Sequence, residues 1–129
     1  MANKFLIDTN ILIYFLANAF KGKIKTYVQK VINVSFNISL ITKIELLSYP
    51  KLTKNDENML RDFLSLAHVL PVNDEIIEAI IQIKKVYQVK IPDAILAATA
   101  IENNFTLLTR NEKDFTKIKK LKLINPFNI

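Results

Sequence analysis

Apolar residues along this chain fall into two patterns: short runs that are apolar at every position, and longer stretches with one apolar stripe at spacings of three and four. Phe5 to Ile7 is the first short run and predicts a strand buried on both faces. Asn10 to Phe20 is apolar almost all round, which predicts a helix buried on several sides. Lys21-Gly22-Lys23 breaks it with the only glycine of the chain. Ile24, Tyr27, Val28, Val31 and Ile32 then mark one stripe of an amphipathic helix whose other face carries Lys23, Lys25, Gln29 and Lys30. Val34 to Leu40 holds β-branched and aromatic residues and predicts a second strand. A helix is expected from Thr42 to about Tyr49-Pro50, because proline restricts the residue before it, and Lys51 to Asn55 reads as a polar connector.

Met59, Leu60, Phe63, Leu64 and Ala67 form another stripe, and Val69 to Val72, with Pro71, suits an edge strand. Asn73 or Asp74 can cap the next helix, in which Ile76, Ile77, Ile80, Ile83 and Tyr87 face inward. Ile91-Pro92-Asp93 opens a further helix, with Pro92 suited to the first helical position and Asp93 to Glu102 rich in alanine and isoleucine. Asn103-Asn104 ends it. Phe105 to Thr109 predicts a strand, Asn111 to Lys117 a short helix or turn, and Leu121 to Ile124 a last strand. Strands alternating with helices imply an α/β fold with a parallel sheet covered on both faces. The chain has 129 residues, shows no repeat or internal linker, and suits one domain over residues 1–129.

Composition narrows the chemistry. Hydrophobic residues make up 50% of the chain, enough for a core without staples. Cysteine is absent and His68 is the only histidine, which removes disulfides and thiolate metal sites and argues against a zinc site of the usual kind. Ala2-Asn3-Lys4, the apolar run after it and Ala17-Asn18-Ala19 loosely imitate a secretory leader. Asp8 and Asn10 interrupt that run where a leader must be most apolar, so the leader reading is rejected. No run approaches the ~18 apolar residues of a membrane helix, and a soluble, cytoplasmic protein is expected. The formal charge of +6 is carried almost wholly by lysine. It suits polyanionic partners, and equally a solvated lysine surface.

Most of the acids lie on polar faces or in loops; Asp8, Glu45 and Asp93 do not. Each interrupts an apolar stretch at a strand end or in the first turn of a helix, positions that gather at one edge of a parallel sheet. Asp114, after the strand ending at Thr109, is a fourth. Each has a structural reading. Asp8 could cap the following helix, Glu45 could complete a capping box with Thr42, Asp93 could favour a helix N-terminus, and Asp114 could close a similar box with Asn111. Caps do not require burial, however, and these acids stand in sequence expected to be buried. If the carboxylates converge, mutual repulsion raises their pKa values unless a cation joins them. Magnesium or manganese takes oxygen ligands and keeps several waters. Such a site can acidify a water and stabilise a leaving oxygen, and two ions roughly 4 Å apart can divide those tasks.

Four segments together resemble the PIN-domain ribonucleases, specifically the VapC toxins of type II toxin–antitoxin pairs. They are Phe5-Leu6-Ile7-Asp8-Thr9-Asn10-Ile11-Leu12; Ser39-Leu40-Ile41-Thr42-Lys43-Ile44-Glu45-Leu46; Ile91-Pro92-Asp93-Ala94-Ile95-Leu96-Ala97-Ala98-Thr99-Ala100; and Leu107-Leu108-Thr109-Arg110-Asn111-Glu112-Lys113-Asp114-Phe115. Any one is weak, but their order spans nearly the whole chain. The resemblance implies a PIN-like α/β/α sandwich with a central parallel sheet of about five strands. It also implies Mg2+- or Mn2+-dependent cleavage of RNA, possible targets being tRNA or an rRNA loop. Asp8, Glu45 and Asp93 match the family's metal-binding acids. The family's fourth polar residue lies two or five after the threonine, here Asn111 or Asp114. Asp114 reads as the ion or water ligand and Asn111 as an orienting group, with Thr9, Asn10 and Thr109 as supporting hydrogen-bonding groups. A homodimer is implied, together with a VapB-like antitoxin whose tail crosses the toxin's helices and blocks the cleft. Ile24 to Ile32 and Met59 to Ala67 are candidate grooves for it.

Two other readings compete. One is a PIN-like module that binds RNA or protein without turnover, against which the presence of all three matching acids speaks. The other is a receiver-like phosphoacceptor domain, which requires adjacent acids where this chain has Asp8-Thr9-Asn10. Asp8 therefore reads as a metal ligand, and Thr9 and Asn10 as the better candidates for capping the helix that follows.

Overall fold

The computed structural model describes residues 4–129. Ala2 and Asn3, part of the leader-like pattern, lie outside the described residues. The elements in chain order are β1 (Phe5–Ile7), α1 (Thr9–Leu16), α2 (Gly22–Val34), β2 (Asn37–Ser39), α3 (Leu40–Leu47), α4 (Lys54–Leu64), β3 (His68–Leu70), α5 (Asp74–Val86), α6 (Ile91–Glu102), β4 (Thr106–Leu108), α7 (Glu112–Phe115) and β5 (Leu123–Ile124), then a 3-10 turn at Pro126–Asn128.

The five strands form one parallel central layer with helices on both faces, the expected α/β/α sandwich. Backbone ladders join β1 to β4 with Leu6 opposite Leu107, β4 to β5, and β2 to β3. β2 lies beside β1, which gives the order β3-β2-β1-β4-β5, but side chains rather than a backbone ladder stitch that junction. Ser35 Oγ accepts the Phe5 amide at 2.9 Å, and Asn37 Nδ2 donates to the Phe5 carbonyl at 3.0 Å and to Ser35 Oγ at 3.1 Å. A buried amide with no ladder partner needs such a substitute.

Alternation along the strands divides the core in two. Leu6 and Leu107 pack with Ile76, Ile83, Leu96, Ala97 and Phe115 on the α5–α6 face. Phe5, Ile7 and Leu108 pack with Ile11, Leu12, Val28, Val31 and Leu64 on the other. Both faces are buried, which is why β1 and β4 carry no polar residue facing a layer other than Thr106. No helix of the described residues is long and apolar enough to cross a membrane.

Several boundaries differ from those expected. α1 stops at Leu16, and Ile13 and Leu16 remain 47% and 46% exposed, because this helix packs on one layer only. α2 runs through Val34, leaving β2 only Asn37–Ser39. α3 starts at Leu40, two residues before Thr42, because Ser39 Oγ caps it through the Ile41 amide at 3.2 Å. α4 begins inside the expected connector, where Thr53 and Asp56 form a reciprocal capping box. Pro71 follows β3 instead of lying in it. Asn73 caps α5 as expected. Pro92 is the second helical residue of α6, not the first, and Asn104, at φ 56°, turns the chain out of that helix. Gly22 is at φ 57° where α2 begins, a conformation that favours glycine.

Candidate functional site

Sequence order reverses across the sheet at β1 and β4, since the chain goes to β2 and β3 on one side and to β4 and β5 on the other. Open α/β sheets bind ligands beyond the carboxyl ends of strands at such a switch point. Asp8 follows β1 there and Thr109 follows β4. Asp8 is only 6% exposed. It occupies the N-cap position of α1, yet its side chain makes no capping bond. Instead it accepts a hydrogen bond at its Oδ2 from Thr109 Oγ1 at 2.7 Å. Thr109 Oγ1 in turn accepts the Asn111 amide at 2.9 Å, which leaves its single proton for Asp8.

Thr9 and Asn10, expected as caps, are the first two residues of α1 itself. Thr9 Oγ1 lies 2.7 Å from Glu45 Oε1 and 2.9 Å from Thr42 Oγ1. A hydroxyl has one proton and an ionised carboxylate only accepts, so Thr9 donates to Glu45 and receives from Thr42. Glu45 is therefore no partner in a capping box with Thr42, since Ser39 caps α3. Nor is Glu45 buried as expected; it is exposed on α3, with its carboxylate turned to Thr9. Asp93 is half-buried in the first turn of α6.

Asp8, Glu45 and Asp93 border one cavity of about 230 Å³ with Thr9, Asn10, Ile13, Pro92, Leu96 and Asn111. Asp114 does not border it. Asn111 caps α7 by accepting the Asp114 amide at 3.3 Å, and its Nδ2 donates to Asp114 Oδ2 at 2.9 Å. Asn111 thus reaches the cavity and Asp114 stands behind it. A larger depression of about 640 Å³ opens at the opposite, N-terminal edge of the strands beside Lys4, Asn37, His68 and Phe105. Its lining carries no carboxylate, whereas that of the smaller cavity carries three.

The electrostatics of the cavity are those of crowded acids. Burial pushes the Asp8 carboxyl above the usual aspartate range, against the bonds from Thr109 and the Thr9 backbone, and the Asp93 and Glu45 charges push the same way. Burial also raises Asp93, then the neighbouring Asp114 charge; Lys90 opposes the rise, Glu45 adds to it, and Lys117 opposes it. None of these carboxylates is in an ion pair among the described residues, where the one pair is Arg61 with Glu57 at 2.9 Å. An all-oxygen donor set in which no carboxylate has an ion-pair partner fits a hard divalent ion. No three acidic or histidine side chains of the described residues are gathered tightly enough to hold an ion directly as a set. The fit is therefore to a small cation that keeps several of its waters.

Thr42, wholly buried behind Thr9, and the cations Lys90 and Lys117 were not singled out from sequence for this site. Thr42 showed only as a possible cap. The lysines gave no signal among so many others.

The sequence pattern described as "PIN domain" matches residues 5–121. Among solved structures, a chain of a toxin–antitoxin complex from Klebsiella pneumoniae is 32% identical, with a TM-score of 0.76, covering 96% of this chain and 98% of that one. A chain of VapBC-1 from nontypeable Haemophilus influenzae is 26% identical, with a TM-score of 0.75 and coverage of 95% and 98%. A chain of DNA-bound VapBC from Salmonella typhimurium is 22% identical with a TM-score of 0.79 over 96% and 98%, a likeness of fold. No curated protein sequence matches the chain.

Proposed function

Since the chain belongs to the PIN-domain family, we propose that it is a magnesium- or manganese-dependent endoribonuclease, one nuclease domain over residues 1–129, acting as the toxin of a toxin–antitoxin pair. One observation carries this reading: Asp8, Glu45 and Asp93 border a single cavity at the sheet's switch point with no ion pair to offset them. These three carboxylates would hold the ion in part through its waters, with Asn111 bordering the same cavity and the Asp114 charge acting on Asp93 from behind it. A bound ion would supply an acidified water and positive charge for the phosphodiester oxygens. The chain's own residues do the rest. Thr109 fixes Asp8 and favours its ionised form, and Thr9 aims Glu45. Lys90 and Lys117 place positive charge beside Asp93, and the net charge of +6 draws the phosphate backbone toward the acids.

The relatives are components of toxin–antitoxin complexes, and a VapB-like antitoxin and a homodimer form part of the proposal. An apolar groove of about 470 Å³ runs between α1, α3 and α4, lined by Ile13, Leu16, Leu46, Tyr49, Leu52 and Leu60. Ile13 and Glu45 border both groove and acidic cavity, so an antitoxin helix seated there would reach the cleft. Ile24 to Ile32, the other groove expected from sequence, has Val28, Val31 and Ile32 in the core. Met59 and Leu66 of the second segment are exposed, and Leu60 lines the groove.

The test is cleavage by Asp8→Asn and Asp93→Asn. Both should abolish manganese-dependent cleavage of total RNA with the fold intact, and undiminished cleavage by both would overturn the assignment. Absence of Mn2+ binding by calorimetry at about millimolar concentration, where magnesium-class sites fill, would favour the silent binding module. Sequencing RNA 5′ ends after brief induction distinguishes tRNA from rRNA as target.

A further inference from the structure

Arg110 is one of only two arginines in the chain, and it stands between Thr109, which holds Asp8, and Asn111, which borders the acidic cavity. It is exposed. Three carboxylates border that cavity and Asp114 stands behind Asn111, yet among the described residues Arg110 has no carboxylate within salt-bridge distance. Aromatic rings hold it instead. Its guanidinium lies 4.4 Å from the centre of the Phe127 ring and 5.6 Å from that of Tyr14, with Nη1 3.5 Å from the Tyr14 hydroxyl. Phe20 backs both rings, at 5.6 Å from Phe127 and 5.9 Å from Tyr14.

This platform is built by long-range contacts. Glu112, two residues after Arg110, accepts hydrogen bonds at Oε2 from Asn125 Nδ2 at 3.2 Å and Asn128 Nδ2 at 3.1 Å. Those bonds tie down the 3-10 turn that carries Phe127 and occupy the carboxylate nearest in sequence to Arg110. An arginine seated on an aromatic face has its planar fork oriented in advance while its N–H edges stay open to an oxyanion.

Resting on the ribonuclease reading above, we infer that Arg110 is a substrate-binding residue: its guanidinium, held on Phe127 and Tyr14, donates to a backbone phosphate of the RNA strand entering the acidic cavity. The carboxylates themselves repel that strand, and a held cation one residue from Asn111, which borders the cavity, offsets the repulsion on the strand's approach.

The test uses Asp93→Asn protein as the uncleaving parent and a short labelled single-stranded RNA of mixed sequence, with affinity measured by anisotropy over a range of KCl concentrations. Adding Arg110→Gln should weaken binding about tenfold and lower the slope of log affinity against log salt by about 0.7, the value for one phosphate contact on a single strand. Arg110→Lys should recover the slope without the full affinity. Phe127→Leu should weaken binding with the slope unchanged, because it frees the arginine without removing its charge. In the otherwise native enzyme, Arg110→Gln should raise KM about tenfold and leave kcat within about twofold, with Mn2+ affinity unaltered. A salt slope indifferent to Arg110→Gln overturns the inference while cleavage by the native protein stands. Loss of antitoxin binding in place of RNA binding overturns it equally, by assigning Arg110 to the protein partner. Native protein that neither binds nor cleaves RNA removes the ribonuclease reading, and this inference with it.

Discussion

Asp8 shows how much depends on a single side chain. Its flanking apolar runs made burial legible in the sequence, because a strand apolar on both faces leaves its C-terminal neighbour little access to water. Its partner was not legible: Thr109 is 101 residues away, and only strand pairing of β1 with β4 brings the two together. Burial and like charges raise the Asp8 carboxyl above its ordinary value. A raised carboxyl binds its proton more tightly folded than unfolded, so its contribution to stability is present below the ordinary aspartate range and is lost as pH rises through the raised value. Asp8→Asn cannot ionise and escapes that loss. In chelator, the unfolding temperature of the variant minus that of the native protein should increase between about pH 4 and about pH 7, measured by calorimetry or circular dichroism. A difference constant with pH would show that Asp8 ionises at no cost to the fold.

Among the elements, the junction of β2 with β1 is the one whose register depends on side chains. Ser35 accepts the Phe5 amide in a site where it is itself 7% exposed, and Asn37 supplies the opposite bond. Ser35→Ala leaves a buried N–H without its acceptor and should cost about 1–3 kcal/mol, read as a fall in denaturation midpoint. Ser65→Ala, at an exposed helix end, should stay within about 0.5 kcal/mol. Equal effects would mean that water replaces the Ser35 bond. Hydropathy placed β2 within Val34 to Leu40 but could not show this substitution, since Ser35 and Asn37 look like ordinary loop residues. Helix starts followed the same division. Asn73 was readable as a cap beside a clear stripe, whereas Ser39 was hidden inside a run that looked wholly strand-like.

At the scale of the whole molecule, three helices present apolar side chains to a space they do not fill. Ile13 and Leu16 of α1 are each nearly half exposed over the groove completed by α3 and α4. On the antitoxin reading, Leu16→Asp should leave ribonuclease activity and unfolding temperature close to native, since the side chain is outside the core. It should also abolish neutralisation by the product of the adjacent reading frame, measured as co-purification and as growth on induction. Retained co-purification would place the antitoxin elsewhere. The same groove explains why the first helix was misread from sequence. An apolar side chain facing the core and one facing an open groove obey the same pattern.

The sequence by itself determined the order of strands and helices, the parallel character of the sheet, and the positions of Asp8 and Asp93 at a strand end and in a first helical turn, because these follow from local periodicity and chain direction. Four short segments in the right order were also enough to reveal the family. Tertiary structure alone decided that Glu45 is exposed and aimed by Thr9, that Asn111 borders the cavity with Asp114 behind it, and that Arg110 lies on aromatic rings from both ends of the chain. Each of those depends on side chains brought together from distant segments, and local pattern carries no record of which distant neighbour a polar group meets.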